Sequence, residues 1–209
     1  MADTGWNEFF IPLETINTEN IHITKTCRTA YHDKAHDMMY ALTYSTDDFS
    51  LSSIPILTPY MKVHSWDSAT GRLELEADSE STAYTKFSHI QELFFDYLSA
   101  NLDDFRKYSI FTKMDLFNTF QQIVYKNLFV VYLHGVNPQQ KRNMGRVWVL
   151  GATGWEKGVN AETFKKGQQV RVAFRFQGIS YSPGVGSSTG KIKCRLQHQT
   201  VAVIPRPSA

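Results

Sequence analysis

Two cysteines, Cys27 and Cys194, are all that the 209 residues contain. A pair so far apart is no disulfide framework, and a reducing, intracellular compartment is the simpler expectation: the host cytoplasm or nucleus if the chain is viral. No apolar run approaches the roughly 18 residues of a membrane-spanning helix, so no membrane association is expected. The first ten residues carry Asp3 and Glu8 and no basic residue, so no secretory signal is expected. Gly-x-Ser-x-Gly does not occur, and the Gly-rich stretches 151–158 and 184–190 lack the Gly-Lys-Ser/Thr ending of a phosphate-binding loop. Strand alternation puts Cys194 on the face of Ile192 and Leu196, opposite Lys193 and Arg195, which reads as a buried, inert thiol rather than a nucleophile. Nothing marks a catalytic pair among the carboxylates. The sequence carries no enzyme signature, so no catalytic residue and no cofactor are expected.

Acidic residues are the other scarcity, and it is local. Residues 1–119 hold 9 Lys/Arg and 18 Asp/Glu, a net of −9, whereas residues 120–209 hold 13 Lys/Arg against Glu156 and Glu162 alone, a net of +11. The overall charge of +2 hides this split. Either the basic half meets an anion, often nucleic acid, or the two halves neutralise each other across an internal interface. With 42% hydrophobic and 20% charged residues, a chain of this length is expected to fold around a core without staples, as one domain or one domain with sizeable insertions.

Along the chain, residues 1–58 read as an N-terminal extension with short strands at Ile21–Thr24 and Met39–Tyr44 and a polar loop over Ser45–Ser53. Residues 59–205 read as the main domain. It opens with a strand over Pro59–Trp66, a turn at Asp67–Gly71 and a strictly alternating strand over Arg72–Ala77. Phe87, Ile90, Phe94, Tyr97 and Leu98 recur at spacings of three and four and predict an amphipathic helix over Tyr84–Leu102, capped by Ser81 or Thr82. A second short helix is predicted over Lys113–Phe120. Everything after Gln121 reads as β, with strands at Asn127–His134, Arg146–Leu150, Gln169–Ile179 and Lys191–Ile204. Short strands between turns imply a small barrel or sandwich.

Four metal-ligand types, His22, Cys27, His32 and His36, fall within fifteen residues. Their spacing lacks the tight Cys-x2–4-Cys knuckle of structural zinc sites, so they read as polar loop residues. The stronger constellation is the basic, aromatic β region. Single-stranded nucleic acid is held by cations that track phosphates and by aromatic faces that stack on unpaired bases. The candidate cations are Lys126, Lys141, Arg142, Arg146, Lys157, Arg171, Arg175, Lys191, Lys193 and Arg195. The candidate stacking faces are Tyr132, Trp148, Trp155 and Tyr181. In Gln169–Ile179 and Lys191–Leu196 basic and apolar residues alternate, so two paired strands would turn their cations to one face. The competing reading is the solvated face of a two-faced sheet, although such faces normally mix both signs.

The order of elements from about Pro59 to Ile204 resembles that of the single-stranded DNA-binding proteins of short-tailed bacteriophages and similar proteins of large DNA viruses. The likeness rests on strand Arg72–Ala77, helix Tyr84–Leu102, strands Asn127–His134 and Arg146–Leu150, and the closing hairpin Gly167–Phe176 to Lys191–Ile204. The family's last hairpin has the same form: a Gly, alternating basic and apolar residues, an aromatic-containing turn and a strand ending in small apolars. The resemblance implies an oligonucleotide/oligosaccharide-binding (OB) β-barrel with an inserted amphipathic helix. The phage proteins end in a long acidic tail that recruits replication partners; this chain ends Val201-Ala202-Val203-Ile204-Pro205-Arg206-Pro207-Ser208-Ala209, without an acid, so recruitment through such a tail is not implied.

The expectation is therefore a mainly β, OB-like protein that coats or protects single-stranded DNA during replication or recombination, without catalysis. RNA fits the same contacts, because none of them tests a 2′-hydroxyl. Replication proteins are further partners that such a role implies, and the acidic N-terminal half offers a surface for self-association. The alternative is a structural or virion β-sandwich whose basic face packs on acidic partner surfaces.

Overall fold

A computed structural model describes residues 9–25, 37–133, 148–151, 154–157, 162–182 and 193–206; at 37–39, 107–108, 155–157, 180–182 and 193–199 it describes the backbone alone. The strands of the N-terminal segment are β1 (Ile11–Pro12), β2 (Ile21–Lys25), β3 (Asp37–Ser45), β4 (Ser50–Leu51) and β5 (Ile54–Leu57). Next come β6 (Met61–Asp67), β7 (Arg72–Glu76), helices α1 (Thr82–Ala100) and α2 (Lys113–Thr119), then β8 (Val124–Tyr125) and β9 (Leu128–Tyr132). The chain finishes with β10 (Trp148–Gly151), β11 (Gly154–Lys157), β12 (Gln169–Ser182) and β13 (Lys193–Pro205). The protein is mainly β, a curled, open half-barrel sheet with two α-helices among the described residues.

β12 is the spine of the sheet, and its sequence explains why. Val170, Val172, Phe174 and Phe176 are all buried, so one face of the strand is continuously apolar. One edge of β12 pairs antiparallel with β13 along most of its length. The other edge is shared in succession by β6 at Gln169–Val170, β5 at Ala173–Phe176 and β3 at Gly178–Tyr181, all antiparallel. Shifts of register at Ala173/Phe174 and Phe176/Gly178 bend the strand, which is what a long strand needs to curl. β6, β7 and β9 follow as an antiparallel meander, so the order β12-β6-β7-β9 is that of a Greek key. Among the described residues no hydrogen-bonded register joins β9 to β13, and the sheet stays open there.

The concave face is filled by α1. Phe87 stacks on Phe129 of β9 at 4.5 Å between ring centroids and lies 6.2 Å from Phe174 of β12. One face further along, Phe94 meets Phe176 edge-on at 6.4 Å. Ile90 and Leu98 complete the same buried stripe. The helix begins two residues before the sequence pattern, because the Ser81 hydroxyl accepts the Tyr84 N–H at 3.1 Å. It ends at Ala100, and a 3-10 segment at Leu102–Tyr108 continues the chain. α2 carries a full capping box between Thr112 and Asp115.

Described apolar residues before Pro59 belong to this same core. Ile11, Leu13, Ile16, Ile21, Tyr40, Leu42, Ile54 and Ile56 are buried in one cluster with the residues of α1 and β12. Where the sequence reads as one polar loop over Ser45–Ser53, Ser50 and Leu51 turn back to pair with Ser45 and Tyr44. The Thr46 hydroxyl stabilises that turn by accepting the Asp48 and Phe49 N–H groups.

Candidate nucleic-acid interface

The two basic strands pair, and their register fixes where each cation sits. Arg171 faces Ile204 and Arg175 faces Gln199, while Arg195 faces Ser180 and Lys193 faces Ser182. By strand parity, Arg171, Arg175, Arg195 and Lys193 fall on the same side of the hairpin. They do not form one cluster. Arg195 lies four residues along β13 from the partner of Arg175, about 13 Å at ~3.3 Å per residue. The antiparallel register sets the start of β12 beside the end of β13, so Arg171 and Arg175 lie toward one end of the ribbon and Lys193 and Arg195 toward the other.

Nor are Arg171 and Arg175 simply solvated. Both are half-buried. The Arg171 Nε donates to the Thr58 carbonyl at 3.1 Å, and its guanidinium sits 5.3 Å from the Tyr60 ring. The Arg175 guanidinium lies 5.8 Å from the Phe10 ring. Alternation identifies the polar side of β12 correctly, but that side is not all open: Ala173 is completely buried, and Phe10 lies against Arg175.

The other candidates are dispersed. Lys126 and Asn127 form the two-residue turn between β8 and β9, with φ of 51° and 58°. Both are left-handed, as a type I′ turn requires. The exposed Lys126 ammonium lies 5.2 Å from the Tyr125 ring, which is itself 59% exposed. Tyr132 is exposed on β9 opposite Arg72. Trp148 is half-buried on β10, flanked by Lys157 of β11 and Ala202 of β13. Trp155 pairs with Leu150, and Tyr181 with Cys194, in backbone register. Lys141, Arg142, Arg146 and Lys191 lie outside the described residues, as do Cys27, His32 and His36. His22 is exposed on β2, and no group of three metal-ligating side chains occurs among the described residues.

On β7 and the adjoining part of β6 from His64 onward the charged groups pair with one another. Glu74 accepts from the Ser65 hydroxyl and pairs with Arg72, and His64 Nδ1 lies 3.7 Å from Glu76. Asp67 is held below the usual carboxylate range, first by the Thr70 hydroxyl and then by the Ala69 N–H. A polyanion finds no net attraction there.

A denser constellation, only partly visible in the sequence, forms where β6, β12 and the end of β13 converge. Lys62 pairs with Gln169, next but one to Arg171. Arg206, just past β13, donates from its backbone N–H to the Gln169 carbonyl at 2.8 Å and from its guanidinium to Gln169 Oε1. That guanidinium lies 5.5 Å from the Tyr60 ring, so Arg171 and Arg206 approach one aromatic side chain that is 37% exposed. Lys165 and Lys166 are exposed on the turn leading into β12. The Gln168 side chain braces that turn by accepting the Lys165 N–H at 3.1 Å, and Gly167 takes the left-handed conformation within it, φ 82°. Alternation of Tyr60 and Lys62, and the Lys165–Lys166 pair, were signals in the sequence; Arg206 between two prolines gave none.

Lys62, Lys165, Lys166, Arg171 and Arg206 have no ion-pair partner among the described residues. The ion pairs between described residues, Lys25–Asp104, His64–Glu76, Arg72–Glu74 and Arg106–Asp103, all lie within the acidic part of the chain. No protein-family model matches this chain, and no curated protein or solved structure matches it either.

Proposed function

We propose that the protein binds single-stranded nucleic acid, DNA in the first place, and does so without catalysis, coating or protecting unpaired strands during replication or recombination. The observation that carries this reading is a set of five cations without a carboxylate partner among the described residues: Arg171 and Arg206 at the Tyr60 ring, and Lys62, Lys165 and Lys166 on the strand and turn beside them. Cations without a carboxylate beside a partly exposed aromatic ring are the footprint expected of a protein that tracks a phosphate backbone and stacks on bases.

We further read the curled sheet as an OB-type barrel. Five strands, β6, β7, β9, β12 and β13, in Greek-key order and left partly open, fit that architecture. Such barrels commonly bind through the face of their second and third strands. Here the second strand carries Glu74 and Glu76, so the phosphate track runs instead across the β6–β12–β13 corner.

One observation favours the structural alternative. Phe111, Met114 and Phe117, spaced by three on and beside α2, are 63, 67 and 54% exposed, which suits a protein contact better than a nucleic-acid one. A gel shift separates the readings. Retardation of a short single strand, with the matching duplex held more weakly, supports nucleic-acid binding; no shift for any strand at moderate salt supports the structural role.

A further inference from the structure

We propose that Tyr60, approached by Arg171 and Arg206, is the seat on which one unpaired base stacks, with the adjoining phosphates drawn to Lys62, Lys165 and Lys166. This rests on the single-strand reading above and gives it a defined centre.

Three features of the corner point to a nucleotide rather than to a bare anion. The first is the ring. Tyr60, just before β6, stays 37% exposed although two guanidiniums lie over its ring. Its backbone is fixed from the N-terminal side, because Thr58 bonds to Val172 in both directions at 3.0 and 2.9 Å. A backbone fixed beforehand loses little freedom when a base arrives. The second is the pair of guanidiniums at 5.3 and 5.5 Å. Both lie within reach of the ring's π-system, which orients them. Two like charges gathered on one side chain raise a local potential that a phosphate relieves, and planar guanidiniums donate to phosphate oxygens in pairs. The third is the flanking ammonium groups. Lys62 is a strand neighbour of Gln169, the residue that anchors Arg206, and Lys165 and Lys166 project from the braced turn that enters the same strand. These charges extend the corner to one side of the ring, because the turn bonds to Val63, one residue past Lys62, through the Gly167 N–H and the Gln168 carbonyl, both at 2.8 Å.

The seat also explains why a single strand would be preferred. A base inside a duplex already stacks on its neighbours and offers no face to Tyr60. Charge alone would hold both forms.

The test uses the full chain, a 12-residue thymidine strand and an abasic sugar–phosphate strand of the same length. The wild type is expected to bind the thymidine strand more tightly than the abasic one. Tyr60→Leu keeps bulk but removes the ring; it should weaken thymidine binding by roughly 5–100-fold and abolish the preference, while Tyr60→Phe retains both. Melting curves of the variants verify that they fold. A 5-bromouracil-substituted strand should crosslink to Tyr60 under ultraviolet light. If the wild type binds both strands equally, or Tyr60→Leu keeps the wild-type preference, the seat is overturned while electrostatic binding of strands stands. If neither strand binds at low salt, the single-strand reading falls and the seat falls with it.

Discussion

Thr58 and Val172 hold each other twice: the Thr58 N–H donates to the Val172 carbonyl at 3.0 Å, and the Val172 N–H donates to the Thr58 hydroxyl at 2.9 Å. The Thr58 carbonyl is left for Arg171 Nε. One fully buried residue thus sets both the path of the chain into Tyr60 and the position of its arginine neighbour. Thr58→Val keeps the shape and removes the acceptor, stranding a buried N–H. It is expected to lower stability by about 1–3 kcal/mol in a urea titration, and Thr58→Ser to restore most of that.

The corner cations separate binding from folding. Lys62, Lys165, Lys166 and Arg206 are exposed, so changing all four to Gln should leave the melting temperature within a few degrees of wild type. It should weaken binding to all sequences alike. Arg175 is different. Half-buried against Phe10, it contributes packing as well as charge, and Arg175→Ala should lower the melting temperature as well.

Phe174 tests the opposite case. Its ring lies 5.3 Å from Phe129, 4.9 Å from Phe176 and 6.2 Å from Phe87, at the meeting of α1 with both sides of the curled sheet. Phe174→Ala should cost about 3–5 kcal/mol by denaturant unfolding, through the cavity it leaves. At a temperature where the variant is folded, the salt dependence of binding should be that of the wild type.

The capping box of α2 gives a pH signature. The Thr112 hydroxyl, then the Phe111 and Thr112 N–H groups, hold the Asp115 carboxyl below its ordinary value of 3.8. A carboxyl lowered by folding stabilises the folded state above its unfolded value, and that contribution is lost as pH falls through the lower, folded one. The side-chain carbon resonance of Asp115 should titrate with a midpoint below 3.8, and Thr112→Ala should move it upward. A wild-type midpoint at or above 3.8 would remove the capping box from solution.

Much of this architecture was legible because it is periodic. Phe87, Ile90, Phe94 and Leu98 announce α1, and the alternation through Val170, Val172, Phe174 and Phe176 announces β12. Periodicity says which face of a strand is apolar; it does not say what covers the other. Nothing local in Arg171 or Arg175 reveals that Tyr60 and Phe10 will lie against them, because those contacts depend on how chain segments more than a hundred residues apart are brought together. The same limit hid Arg206, whose place beside Tyr60 depends on the β12–β13 register and on Gln169. The three strands sharing one edge of β12 were hidden for that reason too, and with them the membership of Ile11, Tyr40 and Ile54 in the common core.

The most direct test of the central claim is the affinity for a fluorescently labelled single strand, read by anisotropy over a series from 50 to 300 mM salt, beside the matching duplex. Five cations neutralising about five phosphates predict that log K falls against log salt with a slope near −3.5, and that the single strand is bound more tightly than the duplex at every point. A slope near zero, or equal affinity for the two forms, would contradict the account.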